Sequence, residues 1–450
     1  MSKVLLIRPL CEGDEPEFAE PLGIERLAGY LRAHGVPDVE VFDRRLYAQE
    51  RRAGTSRSRF WQDVREACTD APPDLVGLSL MTSADVPDAL RLQSRMRTWW
   101  PQARFSIGGL YVTTALDDAR RRFPRGTVLQ QGEGEASLLA LATGQECDSP
   151  SLSPDEWALP YRPHVERYAA LGCAVNIQTS RGCPGACAFC ATPLLPAGLR
   201  RWKPRDLTLV ANEVEYEASR LEAAGFPPIF NAVDDDFGPL ARVEAFAKEL
   251  ARRELRVAFS LEMRLAALIG QPNLAERLCR LHEAGLTRVF FGVESLNAQT
   301  LRYWHKPYDV TALPHVLDAF SVAGIEVQAG YIMWHVRQTI EGARVEARAL
   351  RELGIYSHRA AMSRLIVFAG CELAQDVTHM GFESLKPEVE AFYQAFCGKT
   401  AELTNEWTKA AIALPRAQAE AYLTGDCERL WELHRVLDDI NERSYAFFFE

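Results

Sequence analysis

Three cysteines stand close together in the middle of the 450-residue chain, at Cys183, Cys187 and Cys190. The spacing C-x-x-x-C-x-x-C places three thiolates on one tight loop, where they can hold three irons of a four-iron cluster. The fourth iron then has no protein ligand, and an open metal position is what a site needs to transform a ligand. Gly182 and Gly185 give this loop the backbone freedom to wrap around a cuboid cluster.

Other interpretations of the cysteine loop are weaker. A zinc site needs four ligands, and only His164 or Cys173 could complete the set, after the chain folds back. A disulfide would leave a spare thiol, and the eleven cysteines, mostly scattered, suit a reducing compartment better. Chance core cysteines are disfavoured by the regular spacing.

Two series of short apolar runs alternate with helical patterns, which is typical of parallel sheets. The first series predicts strands at 4–10, 39–43, 74–80, 104–109 and 127–132. The second predicts a barrel-like series at 174–180, 229–233, 257–261, 288–294, 325–332 and 361–368. Ligands on such sheets bind at the carboxyl ends of strands. No G-x-G-x-x-G follows the first strand, which argues against a nicotinamide or flavin site.

The cysteine loop, with Phe189 before its last cysteine, matches the signature of the radical S-adenosylmethionine (SAM) superfamily. This resemblance implies a partial (β/α)6 barrel, a 4Fe–4S cluster and SAM. It also implies a set of SAM-contacting residues: Phe189, Asp234, Asp235, Asp236, Ser260, Arg264 and Glu294. The aspartate run could instead be a solvated turn that caps the next helix, and Arg264 could form a surface ion pair.

The first third of the chain resembles the cobalamin-binding domain of many radical enzymes and of methionine synthase, in the segments 77–83, 107–114 and 132–135. The resemblance implies these cobalamin contacts: Ser79, Met81, Thr82, Gly108, Gly109, Gly132 and Glu133. The motif D-x-H-x-x-G is absent, so no protein histidine is expected on cobalt; His34 is read as a capping or surface residue. Tight turns alone, in a domain that binds nothing, are the alternative.

The fifth barrel strand departs from relatives, many of which carry G-[LF]-P-G-E-T there. Tyr331, Trp334 and His335 stand in this region and are interpreted as facing the substrate. Cys371, after the sixth predicted strand, could donate a hydrogen atom. The alternatives are a core Trp, a hydrogen-bonded core His and a buried thiol.

The predicted organisation is an α/β chain in four parts. Residues 1–143 form a doubly wound, flavodoxin-like cobalamin-type domain, 144–172 a linker, 173–375 the radical SAM barrel, and 376–450 a helical region. Gly398 and Gly425 are expected to interrupt the last helices. The three phenylalanines at 447–449 should pack on the barrel or line a substrate pocket.

Charge and hydropathy limit the function. Lys and Arg number 51 against 61 Asp and Glu, a net charge of −10, which disfavours a dedicated nucleic-acid binder. No apolar run is long enough for a signal peptide or membrane helix, so no membrane partner and a cytoplasmic location are expected.

The function that the resemblance implies is C-methylation of an unactivated carbon of a small molecule, as in natural-product biosynthesis. An external electron donor such as flavodoxin or ferredoxin would reduce the cluster. A radical rearrangement, cyclisation or epimerisation without methyl transfer is the first alternative. A corrinoid or iron–sulfur sensor without enzymatic activity is a remote one.

Overall fold

The N-terminal part of the chain is a five-stranded parallel sheet with helices on both faces. The computed structural model describes residues 2–11, 18–54, 59–145, 152–306, 308–368, 371–373, 381–382 and 384–449; part of the predicted linker, 146–151, lies outside them. The strands are β1 Val4–Arg8, β2 Val39–Asp43, β3 Leu75–Ser79, β4 Arg104–Gly108 and β5 Val128–Leu129. The helices are α1 Leu22–Ala33, α2 Arg44–Arg52, α3 Phe60–Glu66, α4 Val86–Trp99, α5 Leu110–Thr114, α6 Leu116–Arg122 and α7 Glu135–Thr143.

The strand order of this sheet is β2-β1-β3-β4-β5, all parallel, which is the flavodoxin-like arrangement. All five strands were predicted from their apolar runs. β1 is buried along its whole length because helices cover both faces of the sheet. The predicted doubly wound fold is therefore confirmed.

A second parallel sheet, of order β12-β11-β10-β9-β6, follows. Its region contains β6 Val175–Ile177, β7 Ser180–Arg181, β8 Lys203–Pro204, β9 Ile229–Ala232, β10 Ala258–Glu262, β11 Leu286–Glu294 and β12 Glu326–Tyr331, with β7 and β8 paired as a separate antiparallel ribbon. The helices are α8 Val165–Ala170, α9 Ala197–Arg200, α10 Leu207–Ala223, α11 Leu240–Arg252, α12 Leu274–Glu283, α13 Ala298–Tyr303, α14 Leu313–Ala323, α15 Ile340–Glu352 and α16 His358–Met362.

The sixth barrel strand predicted at 361–368 is not formed as such. Ser357 caps α16 by accepting a hydrogen bond from Ala360, so the first part of the segment is helical. Arg364 then makes a single parallel bridge with Trp334. The remaining apolar residues form β13 Ile366–Val367, which pairs antiparallel with β14 Gly381–Phe382 instead of joining the barrel sheet.

Three helices complete the chain: α17 Pro387–Lys399, α18 Ala401–Thr424 and α19 Glu428–Phe449. Gly425 ends α18 with a φ of +80°, as predicted, whereas Gly398 lies inside α17 and does not interrupt it. Phe448 is fully buried and its ring lies 5.6 Å from that of Trp334, so the C-terminal aromatic run packs on the barrel. Within the described ranges no helix combines the length and apolar character needed to cross a membrane.

A buried ionic cluster joins the two sheet units. Arg162, in the connecting segment, has no exposed surface and donates to Glu20 (3.1 Å) before the first helix and to Glu213 (3.0 Å) and Glu217 (3.2 Å) on α10. It also donates to the carbonyl of Asn176 on β6 (2.5 Å). A buried charge is tolerated only with such partners, so one guanidinium fixes the first unit to the barrel.

Replacement of Arg162 by Met should leave the carboxylates around it buried without their main partner. We expect the free energy of unfolding to fall by about 3–5 kcal/mol, measured by urea denaturation. The control is Arg51→Met, because Arg51 is exposed on α2. Equal stability of the two variants would contradict the structural role of Arg162.

The ionic cluster should also make stability depend on pH. Burial raises the pKa of Glu20 to about 7, despite its contact with Arg162. Its pKa is then higher in the folded chain than in the unfolded chain, so its contribution is present at low pH and is lost as pH rises through about 7. Glu20→Gln should therefore gain thermal stability relative to the wild type between pH 5.5 and pH 8; a constant difference would be contrary to this assignment.

Candidate active site

The cysteine loop is held at both ends by backbone hydrogen bonds. Gly182 has a φ of +76°, and a Cβ there would lie 2.6–2.8 Å from three backbone carbonyl oxygens, so only glycine fits. The Cys183 amide donates to the carbonyl of Arg200 (3.2 Å), and the Ala188 amide donates to that of Trp304 (3.0 Å). The loop is thereby fixed between two neighbouring segments.

The three thiols fit an iron–sulfur cluster. All are free and partly buried, and Cys183 and Cys190 each accept an amide hydrogen bond, from Gly185 (3.3 Å) and Thr192 (3.4 Å). Amide donors of this kind stabilise cluster-bound thiolates. No three His, Cys, Asp or Glu side chains of the described residues converge on a single ion. Convergence is not needed in a cluster, since each cysteine binds a different iron.

Binding of an iron–sulfur cluster should release protons from the cysteine thiols. Burial raises the pKa of Cys183 to about 11 and also raises that of Cys187. Metal ligation requires thiolates, so binding must displace these protons.

Asp234 binds the segment that leads into the cysteine loop. Its buried carboxylate accepts from the amide (2.8 Å) and hydroxyl (2.6 Å) of Thr179 and from the amide of Ser180 (2.8 Å). These bonds turn the chain out of the sheet after β6, which explains why the predicted strand 174–180 is divided. Burial raises the pKa of Asp234 to about 6. Asp234 therefore positions the segment that leads into the cysteines, and its contact with SAM stays a prediction.

The other two aspartates differ in exposure. Asp236 is buried and accepts from Nε of Arg264 (2.7 Å), while Arg264 keeps 40% of its side chain exposed. Asp235 is exposed and accepts the Gly182 amide. None caps α11, whose first turn follows Pro239 without a side-chain cap. Of the three carboxylates, only that of Asp235 is placed to meet a ligand.

Strand alternation makes the barrel interior polar. Val327 and Ala329 pack on the outer helices, so Glu326 and Gln328 face the interior. One polar residue per strand stands at the same register in a belt: Asn176, Asn231, Ser260, Arg288 and Glu326. Ser260, predicted to meet the SAM ribose, is buried in this belt and donates to Asn231 (2.7 Å).

The belt lies between the amino-terminal end of the barrel, on which α18 packs, and a second row of residues nearer the carboxyl ends of the strands. Ala419 of α18 packs on Ile229 and Ala258, the first residues of β9 and β10, and so covers the amino-terminal end of the barrel. Above the belt, the register places in one row the residues Glu262, Phe290 and Gln328. Helix α18 thus packs on the amino-terminal ends of β9 and β10, opposite the end that carries the cysteine loop.

Glu294 adopts a strained backbone at this open end. Its φ is +64°, unusual for a residue with a side chain, and its carboxylate accepts from Nζ of Lys306 (2.8 Å). The pair fills the space over Gly292, where a Cβ would lie 2.0 Å from the carboxylate. Lys306 lies near enough to Cys187 to act on its charge. Sequence reasoning missed Lys306, whose signal was a cation directly after the short helix that follows Glu294.

The residues after the fifth strand are mostly structural. Tyr331 is buried on the helix side, where its hydroxyl donates to Glu346 and accepts the Leu296 amide (3.2 Å). Trp334 is fully buried and donates to the carbonyl of Ala361 (2.6 Å). Alternation and packing place both rings in the core, and their substrate-facing role stays a prediction.

His335 and Cys371 lie behind the cysteine loop. The ring of His335 lies 4.9 Å from that of Trp304, which in turn contacts Phe189 at 5.6 Å. Cys371 is buried in the same apolar cluster. Burial lowers the pKa of His335 to about 4, so its imidazole is neutral at pH 7. These contacts support the aromatic side of the loop and do not expose either group to a substrate.

The carboxyl edge of the first sheet combines open and filled positions. Met81 is 46% exposed there, with Ser79 and Thr82 partly exposed beside it. Gly108 is partly exposed, and a Cβ added there would make an ordinary van der Waals contact with the Gln130 carbonyl oxygen at 3.6 Å. The fold itself requires glycine at position 109, because its φ is +98° and a Cβ would lie 2.3 Å from the Leu80 carbonyl oxygen.

The same edge is tied to the cysteine loop. Arg181, two residues before Cys183, pairs with Glu133 (2.9 Å) and Glu135 (2.7 Å), and its guanidinium lies 4.1 Å from the ring centre of Trp157. Glu133, which was predicted to contact cobalamin, accepts from Arg181 in this structure, and its contact with cobalamin stays a prediction. These ion pairs therefore hold the carboxyl edge of the first sheet next to the segment that enters the cysteine loop.

Two further residues named in the sequence analysis, Gly132 at this edge and His34 at the opposite edge of the sheet, make structural hydrogen bonds. Gly132 donates its amide to Thr113 (3.0 Å) and adjoins Leu199 of the cysteine-loop side. His34 is the C-cap of α1, with Nδ1 2.8 Å from the Tyr30 carbonyl, as its capping interpretation expected.

Comparison with known proteins agrees with this geometry. A family model described as the radical SAM superfamily matches residues 177–342. The chain therefore contains a radical SAM domain over these residues. The chain is an enzyme, and the 4Fe–4S cluster and SAM are the cofactors that this domain implies.

Three similar proteins cover much of the chain. An uncharacterized methyltransferase of Pyrococcus horikoshii is 23% identical over 389 residues, 78% of each chain. An anaerobic magnesium-protoporphyrin IX monomethyl ester cyclase of Synechocystis is 25% identical over 54% of this chain and 52% of its own length, so the match spans about half of that relative. The structure of the cobalamin-dependent SAM radical enzyme OxsB aligns with 99% of this chain and 72% of its own, at a TM-score of 0.75 and 14% identity, and shares its fold.

Cys183→Ala should prevent stable cluster assembly, because two thiolates cannot hold the cube in place of three. We expect iron per chain after anaerobic reconstitution to fall from about four to near zero. Cys279→Ala, on α12, is the control and should keep the wild-type iron content. Full iron content in the Cys183 variant would contradict the assignment of the loop.

Proposed function

We propose that this enzyme binds cobalamin on its first sheet and transfers a methyl group to an unactivated carbon of a small polar molecule. The observation that carries the proposal is the Arg181 bridge to Glu133 and Glu135. It holds the carboxyl edge of the flavodoxin-like sheet against the cysteine loop. A cofactor on that edge and a cluster on the loop would share one opening.

The similar proteins support the same assignment. OxsB, whose fold extends over nearly the whole chain, is described as cobalamin-dependent with cobalamin and SAM bound. The Pyrococcus relative is described as a methyltransferase. When bound, the cluster and SAM supply a carbon-centred radical and cobalamin supplies a methyl group.

The chain's own residues would bind and enclose these groups. Cys183, Cys187 and Cys190 would hold the cluster, and Asp235 and Arg264 offer exposed charge beside it for the polar end of SAM. The positions left open for cobalamin are Ser79, Met81, Thr82 and Gly108. Closing two sheet edges over one opening excludes water from a reactive intermediate.

The substrate class follows from the barrel interior. Amide, hydroxyl, carboxylate and guanidinium groups face it, including those of Asn231, Ser260, Glu262 and Arg288. Polar groups that lose water need hydrogen-bond partners, which a hydrocarbon cannot give. A small molecule with several donors and acceptors is therefore favoured over an apolar polycyclic one.

A radical cyclisation or rearrangement without methyl transfer is the second candidate, because the Synechocystis relative is described as a cyclase. Methyl-labelled SAM separates the two candidates. Methyl transfer leaves the label in a product and forms S-adenosylhomocysteine, whereas the second candidate does neither.

Protein reconstituted without oxygen, supplied with cobalamin and desalted should retain about one corrinoid per chain, as expected for one sheet edge with one site. Gly108→Leu should lower retained corrinoid at unchanged iron, because a bulky side chain would stand at the edge where the resemblance implies that cobalamin lies against the backbone. Gly23→Leu, at an exposed position of α1 with no atom near its Cβ, is the control. An intact cluster without retained corrinoid would refute cobalamin binding and favour the second candidate.

A further inference from the structure

Two pairs of exposed arginines flank the cysteine loop. Arg200 and Arg201 belong to the segment whose carbonyl holds Cys183, and Arg302 and Arg337 lie beside the segment whose carbonyl holds Ala188. We name these four residues the arginine rim. No member forms an ion pair with an acidic side chain in the described part of the chain.

The rim contrasts with the rest of the molecule. The chain has a net charge of −10, and many of its arginines are paired with carboxylates, as Arg162 and Arg181 are. Most acidic groups near the loop have cationic partners: Glu133 and Glu135 pair with Arg181, Asp236 with Arg264, and Glu294 with Lys306. Asp235 is exposed, and Glu372 lies 3.4 Å from His305. Among the described residues, the four rim arginines differ from these groups in having no carboxylate partner.

The rim also carries an exposed aromatic ring. Tyr303 is 37% exposed, and the guanidinium of Arg337 lies 3.9 Å from its ring centre. Arginine and tyrosine are enriched among residues that contribute most to protein–protein binding. This combination fits a docking surface better than a solvated helix face.

We propose that the arginine rim docks an acidic electron-carrier protein that reduces the cluster. The proposal rests on the proposed radical function, which requires a one-electron reductant. In the step, the carrier's reduced cofactor loses one electron and the cluster gains it; no bond forms or breaks. Docking next to the loop shortens the path between the two redox groups.

Electrostatic docking makes the association rate depend on charge and on ionic strength. Complementary charge raises association rates by about 10–1,000-fold, and the gain falls as ionic strength rises. Replacing two of the four rim arginines by glutamates reverses the charge at both positions. Such a change should remove most of the increase in association rate.

The test measures binding of reduced flavodoxin, and separately of an acidic ferredoxin, to the reconstituted enzyme by biolayer interferometry at low and high salt. We expect R200E/R201E and R302E/R337E each to slow association by about tenfold or more at low salt. R51E/R52E is the matched control, because it makes the same charge change on exposed residues of α2. Iron content and dithionite-driven SAM cleavage, measured in parallel, report on the proposed function independently of docking.

Slower association only in the rim variants, with normal cluster content, would support the proposal. Binding of neither carrier, binding insensitive to salt, or an equal effect of the control would overturn it. Absence of SAM cleavage with dithionite beside rim-dependent binding would instead count against the radical function and leave the docking surface supported.

Discussion

The structure depends on one constraint: buried arginines must be matched by carboxylates from separate parts of the chain. Arg162 meets this constraint in the protein interior, where it pairs with Glu20 of the first unit and with Glu213 and Glu217 of α10. Although burial alone would raise it, the charges of Arg26, Arg162 and Arg205 lower the pKa of Glu213 to about 2, which keeps this carboxylate ionised. Because a buried charge without its partner is strongly destabilising, the two units have one favoured relative position. That position brings both carboxyl edges to the cysteine loop.

Several residues with the chemistry of ligand contacts serve this architecture instead. Asp234 holds the strand that enters the loop, and Asp236 holds Arg264. Glu133 pairs with Arg181, and Gly109 allows the close approach of Leu80. Fewer residues stay exposed at the carboxyl edges than the resemblance names as ligand contacts. A site shared by two large cofactors needs rigid walls, and these residues form them.

Much of the fold could be predicted because its signals are local. Apolar runs gave the strands of both sheets, and the cysteine spacing indicated the loop without reference to any other residue. The division of 174–180 into two strands could not be predicted, because it depends on Asp234, more than fifty residues away. The loss of the sixth strand depends on a serine cap that competes with an apolar run. The partners of Arg162 and Arg181 are likewise distant in sequence, so neither arginine could be distinguished from surface charge.

The most direct test of the account measures whether the two redox groups share one cavity. The enzyme would be prepared with the cluster reduced and cobalamin as cobalt(II), so that both carry an unpaired electron, and examined by pulsed electron paramagnetic resonance. The account predicts a clear dipolar coupling between the two spins, which Arg181→Met should weaken or broaden. Two magnetically isolated signals in the fully loaded wild-type enzyme would contradict it.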